Sequence, residues 1–171
     1  MKFDNISREI EYYANLPVCF CDFMENLSGL ADGELSLVCT DKNPAVHDKK
    51  WVPSYGFAVM VGGESVGRVN LRIGYSEGLY YGGQVGYWID EAHWGKGYAG
   101  RGVVLLASVA KFHGMEKLLV CNDVNNKASI RVCEKLGLRL VRTVETPEWH
   151  DLYQRLGQRQ TNIWEWDLNN E

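Results

Sequence analysis

A cluster of four glycines lies between a strand pattern and a helix pattern, and this stretch limits what the chain can fold into. The glycines are Gly95, Gly97, Gly100 and Gly102. Alternating residue types over 85–89 predict a strand with two unlike faces just before them. Apolar residues recur at helical spacing after them, so a helix begins inside the cluster. The first amide N–H groups of a helix have no intrahelical partner and lie at its positive end, so the stretch predicts an anion site.

The same glycines allow rival interpretations. Gly95, Gly97 and Gly100 spell the G-x-G-x-x-G fingerprint of dinucleotide-binding folds. In those folds the fingerprint follows the first strand in a tight turn and opens a series of βαβ units. Here residues 91–94 separate the strand from the first glycine, and a predicted hairpin precedes the motif. A dinucleotide-dependent oxidoreductase is therefore disfavoured, and a plain turn before an ordinary helix stays open beside the anion site.

Composition narrows the classes of partner. The 171 residues are 46% hydrophobic, which suits one globular domain with a full core. A net charge of −4 argues against nucleic acid and leaves an amine substrate electrostatically acceptable. No apolar run is long enough for a membrane span, and the N-terminal residues lack a signal-peptide pattern. The five cysteines lack C-x-x-C spacing and predict reduced thiols in a cytoplasmic protein, and the scattered histidines predict no metal site.

Periodicity and turn signals along the chain predict a mixed arrangement of helices and strands. The predicted helices are 5–15, 18–30, one from the glycine cluster to Gly114, and one from Asn125 or Asn126 to Gly137. The predicted strands are 35–40, 55–61, 65–73, 85–89, 117–121, 138–144 and 163–168. The second and third strands form a hairpin around Gly62-Gly63. The order strand, helix, strand around the glycine cluster predicts that 85–89 and 117–121 are parallel.

Two motifs in this order resemble the GNAT superfamily of N-acetyltransferases. The first is WGKGYA at residues 94–99, which is similar to the family's acyl-CoA loop [QR]-x-x-G-x-[GA] with Trp94 in its first place. The second is Asn126-x-x-Ser129 leading to EKLG at 134–137. The residues of the first motif resemble those of the subgroup that includes ribosomal-protein N-terminal acetyltransferases. The resemblance covers about residues 55–140.

The resemblance implies a fold and a division of the chain. The fold is a single α/β domain over 1–171, whose central, mostly antiparallel sheet contains a splayed parallel strand pair and is flanked by helices. Residues 1–54 would form a helical N-terminal part and an acceptor-side loop, and residues 55–168 the cofactor-binding sheet and helices. The co-substrate would be acetyl-CoA, with its pyrophosphate on the amides of 95–100, its pantetheine arm paired with the exposed edge of the strand at 85–90, and its acetyl group in the gap between the splayed strands. No metal is implied.

The resemblance also implies roles for individual residues. Cofactor contacts fall on Trp88, Ile89, Asp90, Trp94, Gly95, Lys96, Gly97, Tyr98, Ala99, Gly100, Arg101, Asn126 and Ser129. Ser129 would lie near the CoA sulfur as a hydrogen-bond donor or proton relay. The central strand offers no acid or histidine before Asp90, so Glu145 is chosen as the general base, with Asp123 and Tyr81 as alternatives. Core packing for Trp88 and a first-turn helical position for Ser129 are the structural alternatives.

These observations lead to one main hypothesis and two others. The main hypothesis is direct acetyl transfer from acetyl-CoA to a primary amine of a small molecule or a protein N-terminus. A non-catalytic acyl-CoA-binding sensor is the alternative, because an obvious base is missing, and the NAD(P)-dependent oxidoreductase is the least favoured. Neither nucleic acid nor membrane is expected as a partner, and an exposed final strand would allow a homodimer.

Overall fold

A single eight-stranded sheet organises the protein, as seen in a computed structural model that describes residues 2–170. The strands are β1 (Ala31–Asp32), β2 (Leu35–Asn43), β3 (Ser54–Val61), β4 (Glu64–Arg72), β5 (Val85–Ile89), β6 (Lys117–Asp123), β7 (Arg139–Glu145) and β8 (Gln160–Asp167). The helices are α1 (Ile6–Ala14), α2 (Glu77–Gly82), α3 (Tyr98–Phe112), α4 (Lys127–Lys135) and α5 (Asp151–Leu156). The order across the sheet is β1-β2-β3-β4-β5-β6-β8-β7. Every neighbouring pair is antiparallel except β5 and β6, so the predicted mixed fold with one parallel pair is confirmed.

Helix α3 packs closely on one face of the sheet, and Gly102 permits the close approach. A Cβ at Gly102 would lie 3.2 Å from Val69 Cγ1 and 3.5 Å from Val59 Cγ2. Helix α4 lies beside α3, because a Cβ at Gly100 would be 3.7 Å from Leu136 at the end of α4. The two helices and this face of the sheet enclose the larger hydrophobic core. We call this side of the sheet the helix face.

The opposite side of the sheet is covered over only part of its width. A second, smaller core joins α1 and α2 to β6, β7 and β8 through Tyr13, Tyr80, Tyr81, Leu119, Val144 and Ile163. Over β2–β5 this side is exposed: Trp88 retains 62% of its surface and Val38 51%. We call this exposed side of β2–β5 the open face. The sheet therefore separates a closed side with long helices from a side that a ligand can approach.

Strands β5 and β6 part soon after they meet. Their one paired position is Val85 with Val120, and the N–H of Gln84 donates to the carbonyl of Leu119 at 2.9 Å just before it. The side-chain carbonyl of Gln84 accepts the N–H of Leu119 at 2.7 Å. Beyond this point the two strands diverge, which confirms the predicted splayed pair. We call the space between their carboxyl ends the gap.

Several sequence predictions differ from the structure. The predicted helix at 18–30 is not formed, because that segment is held by tertiary contacts, including Met24 N–H to Tyr55 Oη at 2.7 Å. The segment 74–83, for which no helix is predicted from the sequence, contains α2, whose first turn Ser76 caps. The N-terminal part, expected to be helical, supplies β1 and β2 to the sheet, so the sheet does not begin at residue 55.

The structure also removes the argument from the sequence for a homodimer. Strand β8 lies between β6 and β7, and β7 forms the edge of the sheet. The prediction that the final strand is an exposed edge is therefore wrong, and with it the argument for pairing across a dimer. None of the helices within residues 2–170 has the length and apolar character needed to cross a membrane.

A buried carboxylate anchors α1 to the sheet. Glu9 is 2% exposed, and its Oε1 accepts a hydrogen bond from Tyr80 Oη at 2.5 Å. Arg142 on β7 donates to both carboxylate oxygens at 3.2 Å. Because a buried charge is costly without partners, these bonds must form together for α1 to dock.

Replacing Glu9 by alanine should destabilise the protein by about 2–4 kcal/mol, because Tyr80 and Arg142 then lose their shared acceptor. Urea unfolding gives the free energy. Glu11→Ala, an exposed change on the same helix, is the matched control and should shift the free energy by less than about 0.5 kcal/mol. Equal losses for the two variants would contradict the anchoring role of Glu9.

Candidate functional site

The turn into α3 has the geometry of an anion site. Gly95 and Gly97 have φ values of 78° and 76°, which residues with a Cβ rarely adopt. A Cβ at either position would meet nothing within 4 Å, so the space above both is open. Gly97 is the N-cap and provides no side-chain cap, and the first bond back to it is Arg101 N–H to its carbonyl at 3.2 Å. The N–H groups of residues 98–100 are therefore available to an anion.

The two basic residues at this turn have different surroundings. Lys96 is exposed, with its Nζ 6.0 Å from the centre of the Tyr98 ring, and makes no ion pair within residues 2–170. The Arg101 guanidinium instead bonds Asp32 Oδ2 at 2.9 Å and Glu34 Oε1 at 3.1 Å. Phosphate binding by Arg101 stays a prediction, and it requires that these two contacts be exchanged for the ligand.

The backbone register of β5 decides which peptide groups face the gap. The N–H of Asp90 donates to Val66 on β4 at 2.9 Å. Because backbone groups alternate in direction along a strand, those of Trp88 also point to β4, and those of Tyr87 and Ile89 point to the gap. Of the three predicted backbone contacts, Ile89 is thus placed for a ligand in the gap. Trp88 uses its backbone groups within the sheet, and Asp90 donates its N–H to β4 while its carbonyl accepts the N–H of His93 at 2.8 Å. The side chain of Trp88 is exposed on the open face and is not core packing.

Trp94 forms a hydrogen bond with one of these gap-facing backbone groups. Its Nε1–H donates to the carbonyl of Ile89 at 2.7 Å, while 65% of the residue surface stays exposed. The carbonyl of Ile89 is thereby satisfied, and its N–H is left as the donor on that side. The indole also fixes the loop between β5 and α3, which positions the glycine turn against the end of the strand.

A cluster of polar side chains joins the helix-face side of β5 and β6 to the start of α4. Asn126 caps α4, with Oδ1 accepting from Ser129 N–H at 3.1 Å, as the sequence predicts for a helix N-cap. Ser129 Oγ lies 2.6 Å from Tyr87 Oη and accepts from Asn122 Nδ2 at 3.2 Å. Trp164 Nε1–H in turn donates to Asn122 Oδ1 at 3.2 Å. Ser129 is therefore more than a first-turn helical residue.

The hydroxyl of Tyr87 is protonated in this cluster. Burial raises the pKa of Tyr87 above its ordinary value of 10.0, and the nearby Cys133 thiol acts in the same direction. A neutral phenol is both donor and acceptor, so Tyr87 and Ser129 can pass one proton along their hydrogen bond. We call Tyr87, Asn122 and Ser129 the hydroxyl cluster.

Glu145 lies apart from the hydroxyl cluster. It is exposed at the end of β7, the edge strand, where it pairs with Gln160 on β8. Within residues 2–170 it makes no hydrogen bond or ion pair with Ser129 or Tyr87. Its role as general base stays a prediction, one that needs an intervening water chain.

Sequence reasoning did not assign Tyr87 and Asn122 to the site. Alternation placed Tyr87 on the same face as Val85 and Ile89, but the pattern carries no information on where α4 begins relative to that face. Among residues 2–170, no group of three or more histidine, cysteine or acidic side chains is arranged to hold a metal ion.

Comparison with known sequences identifies one family. The sequence profile described as the acetyltransferase (GNAT) domain matches residues 35–139, which include the parted strands, the glycine turn and α4. No curated protein sequence matches this chain at a significant level.

Solved structures share the fold at low sequence identity. An acetyltransferase from Salmonella typhimurium, described as modifying the N-terminal serine of ribosomal protein L7/L12, is 18% identical with a TM-score of 0.53, over 71% of this chain and 66% of that one. RimL, a ribosomal L7/L12 N-acetyltransferase in complex with coenzyme A, has the same identity and TM-score over 73% and 67%. The microcin C7 self-immunity acetyltransferase MccE, in complex with acetyl-CoA and AMP, is 18% identical with a TM-score of 0.52 over 67% and 61%.

Proposed function

The chain belongs to the GNAT family of acetyltransferases, and we propose that residues 1–171 act as one domain that transfers an acetyl group from acetyl-CoA to a primary amine. The amine belongs to a small molecule or to a protein N-terminus. The observation that carries the proposal is the juxtaposition of an open glycine turn, two parted strands and the hydroxyl cluster. The five cysteines are unpaired thiols, which supports a reducing compartment such as the cytoplasm.

The residues present fit acetyl-CoA. The N–H groups of residues 98–100, with the open space above Gly95 and Gly97, suit a pyrophosphate at the positive end of α3. Lys96 is placed at the same turn to add positive charge. The backbone groups of Tyr87 face the gap, where they suit an amide of a pantetheine arm, and the N–H of Ile89 faces the gap beyond them. Two of the solved structures that share the fold contain coenzyme A or acetyl-CoA, which supports this assignment.

The chemistry requires a neutral amine, a polarised carbonyl and a protonated leaving group. When bound, acetyl-CoA supplies a thioester carbon to which the amine nitrogen bonds as the carbon–sulfur bond breaks, and one proton passes from nitrogen to sulfur. The N–H of Ile89 stabilises the negative charge that develops on the carbonyl oxygen. The amine enters from the open face, because the helix face is closed by α3 and α4.

The hydroxyl cluster serves the leaving group. Ser129 Oγ already accepts from Asn122, so its own proton is free to point to a sulfur in the gap, while Tyr87 can restore that proton. A serine hydroxyl is a weak acid, and its main contribution is a hydrogen bond to the departing thiolate. The proton released by the amine passes to water, with Glu145 as its proposed acceptor, and water returns one proton to the departing thiolate, so the net transfer is from nitrogen to sulfur.

The test of the proposed function is release of free thiol from acetyl-CoA in the presence of a panel of amines. The panel contains small primary amines and peptides with free N-termini, since one structural relative is described as modifying an N-terminal serine. Amine-dependent thiol release with formation of the N-acetyl product is the expected result. Saturable binding of CoA without thiol release on any amine would favour the sensor hypothesis. The lack of contact between Glu145 and the hydroxyl cluster is the structural observation that supports this alternative.

Replacing Gly97 by aspartate should weaken binding of CoA at least about 100-fold, because a carboxylate then occupies the space for the pyrophosphate. Isothermal titration calorimetry gives the affinity. Gly137→Asp is the matched control: it places the same side chain at a φ of 69° in open space, at the end of α4 away from Ser129. Unchanged CoA affinity in Gly97→Asp would show that the cofactor binds elsewhere.

Replacing Ser129 by alanine should lower kcat roughly 10- to 100-fold and change the affinity for CoA less than about threefold, since the hydroxyl acts on the leaving group. The Asn126 cap survives, because it bonds the backbone of Ser129. Tyr87→Phe should reduce kcat by a smaller factor. Ser108→Ala, an exposed change on α3, is the control for serine loss within a helix. A Ser129→Ala enzyme with the wild-type kcat would restrict Ser129 to a structural role.

A further inference from the structure

Arg72 is a partly buried cation without an anionic partner. Its Nη1–H donates to the carbonyl of Gly83 at 3.2 Å, and within residues 2–170 it forms no ion pair with a carboxylate. Burial lowers the pKa of Arg72, and the one ionisable group that acts on it is Cys121. Burial in turn raises the pKa of the Cys121 thiol, so this neighbour is neutral and does not balance the charge. The other arginines on the sheet differ: Arg68, Arg139 and Arg142 are each paired with a carboxylate.

The unbonded part of the guanidinium is accessible to a ligand. Nε and Nη2 of Arg72 have no protein partner within residues 2–170. Among the described side chains that are not exposed, the one polar atom that is both buried and without a hydrogen-bond partner is Asn70 Oδ1. Nε and Nη2 of Arg72 are therefore not fully buried. Nε and Nη2 form the edge of a guanidinium that binds a carboxylate through two parallel hydrogen bonds. A single arginine matches a single negative charge better than a phosphate dianion.

Asn70 presents an unsatisfied acceptor next to Arg72. The two residues are two positions apart on β4 and therefore point to the same side of the sheet, with Cα atoms about 7 Å apart. Asn70 is opposite Gly86 on β5, and a Cβ at Gly86 would lie 2.7 Å from Asn70 Oδ1. The amide thus lies over the glycine, and its oxygen needs an N–H donor that the protein does not provide.

Asn70 lies at the point where the strands part, and Arg72 lies behind it: its N–H donates to the carbonyl of Gln84 at 2.8 Å, just before the strands separate. Gly86 and Cys121 each follow the last paired residues of β5 and β6, so they mark the point where the strands part. Gly86 shares the open face with Asn70, whereas Tyr87 points to the hydroxyl cluster on the helix face. An amine held by Asn70 would approach the gap from the side opposite the hydroxyl cluster.

We propose that the acceptor is a small amine that carries a carboxylate a few bonds from its nitrogen. Arg72 binds the carboxylate through Nε and Nη2, and Asn70 Oδ1 accepts an N–H of the amine. A protein N-terminus has a carboxylate at this distance only when its first residue is aspartate or glutamate, and any other N-terminus would leave Arg72 unpaired. This inference deepens the proposed acetyl transfer and rests on it.

The test compares matched amines with and without the negative charge. Glycine, 4-aminobutanoate and 6-aminohexanoate are each compared with their primary amides, and kcat/KM is corrected for the fraction of unprotonated amine. At least one carboxylate should exceed its amide by roughly tenfold or more in the wild-type enzyme. In Arg72→Gln this ratio should fall to near one, chiefly through a rise in KM of the carboxylate of about 10- to 100-fold.

Two variants control the comparison. Arg68→Gln removes an arginine from the same strand and side of the sheet, but one that is already paired with Asp41 at 2.8 Å, so the ratio should stay at the wild-type value. Arg72→Lys keeps the charge without the two-pronged geometry and should give an intermediate ratio. A wild-type ratio near one for every pair overturns the proposal whether or not the variants fold. An equal loss of kcat/KM on carboxylates and on amides in Arg72→Gln also overturns it.

A binding measurement separates failure of this inference from failure of acetyl transfer. Calorimetry with the CoA-loaded protein and the N-acetyl derivatives of the same three carboxylates requires no turnover. Saturable binding in the wild type that weakens at least tenfold in Arg72→Gln supports the carboxylate site even if no thioester is consumed on any amine. Absence of binding for all three derivatives overturns the site, while thiol release with neutral amines would leave the proposed function standing.

Discussion

The parting of β5 and β6 is the constraint on which the rest of the site depends. Gln84 fixes where it begins: this residue is 1% exposed, and both its backbone and its side chain bond Leu119 immediately before the single pair Val85–Val120. After that pair the strands offer each other no partners, so the backbone groups of Tyr87 face an open gap. Unpaired peptide groups inside a sheet are unfavourable unless water or a ligand binds them. The sheet register therefore determines where the fold leaves unpaired peptide groups that a ligand can bind.

In the proposed reaction, the sheet also separates the residues that act on the leaving group from those that face the incoming amine. Because side chains alternate along β5, Tyr87 reaches the hydroxyl cluster under α4, while its neighbour Gly86 leaves room on the open face. The leaving group and the incoming amine can thus be served by different sets of residues without competing for space. Gly102 contributes indirectly, since it lets α3 lie close on the helix face and places the glycine turn beside the end of β5.

Local signals were enough to predict the glycine turn, one helix cap and one hairpin, and long-range contacts explain what they missed. The glycine turn, the Asn126 cap and the hairpin depend on residues near one another in sequence, and all three were predicted from it. By contrast, Arg101 bonds Asp32 and Glu34, 69 and 67 residues away, and that contact leaves no local pattern. The segment 18–30 was predicted to be helical, yet tertiary bonds such as Met24 N–H to Tyr55 Oη hold it in another conformation. In the sequence, Asn70 and Arg72 are ordinary polar residues of an alternating strand. That Asn70 Oδ1 and part of the Arg72 guanidinium lack protein partners among the described residues is visible only in the folded structure.

The neutrality of the hydroxyl cluster suits a reaction between two uncharged groups. Burial raises the pKa of Tyr87, and it raises the pKa of Cys133, which borders the same cluster, to about 11. Ser129 and Asn122 do not titrate, so the hydroxyl cluster keeps one charge state across the physiological pH range. A carboxylate in this place would repel a developing thiolate, whereas hydroxyl and amide donors stabilise it. The hydroxyl cluster therefore contributes no pH dependence to the proposed acetyl transfer, whereas the amine does, because it must lose its ammonium proton before it can attack.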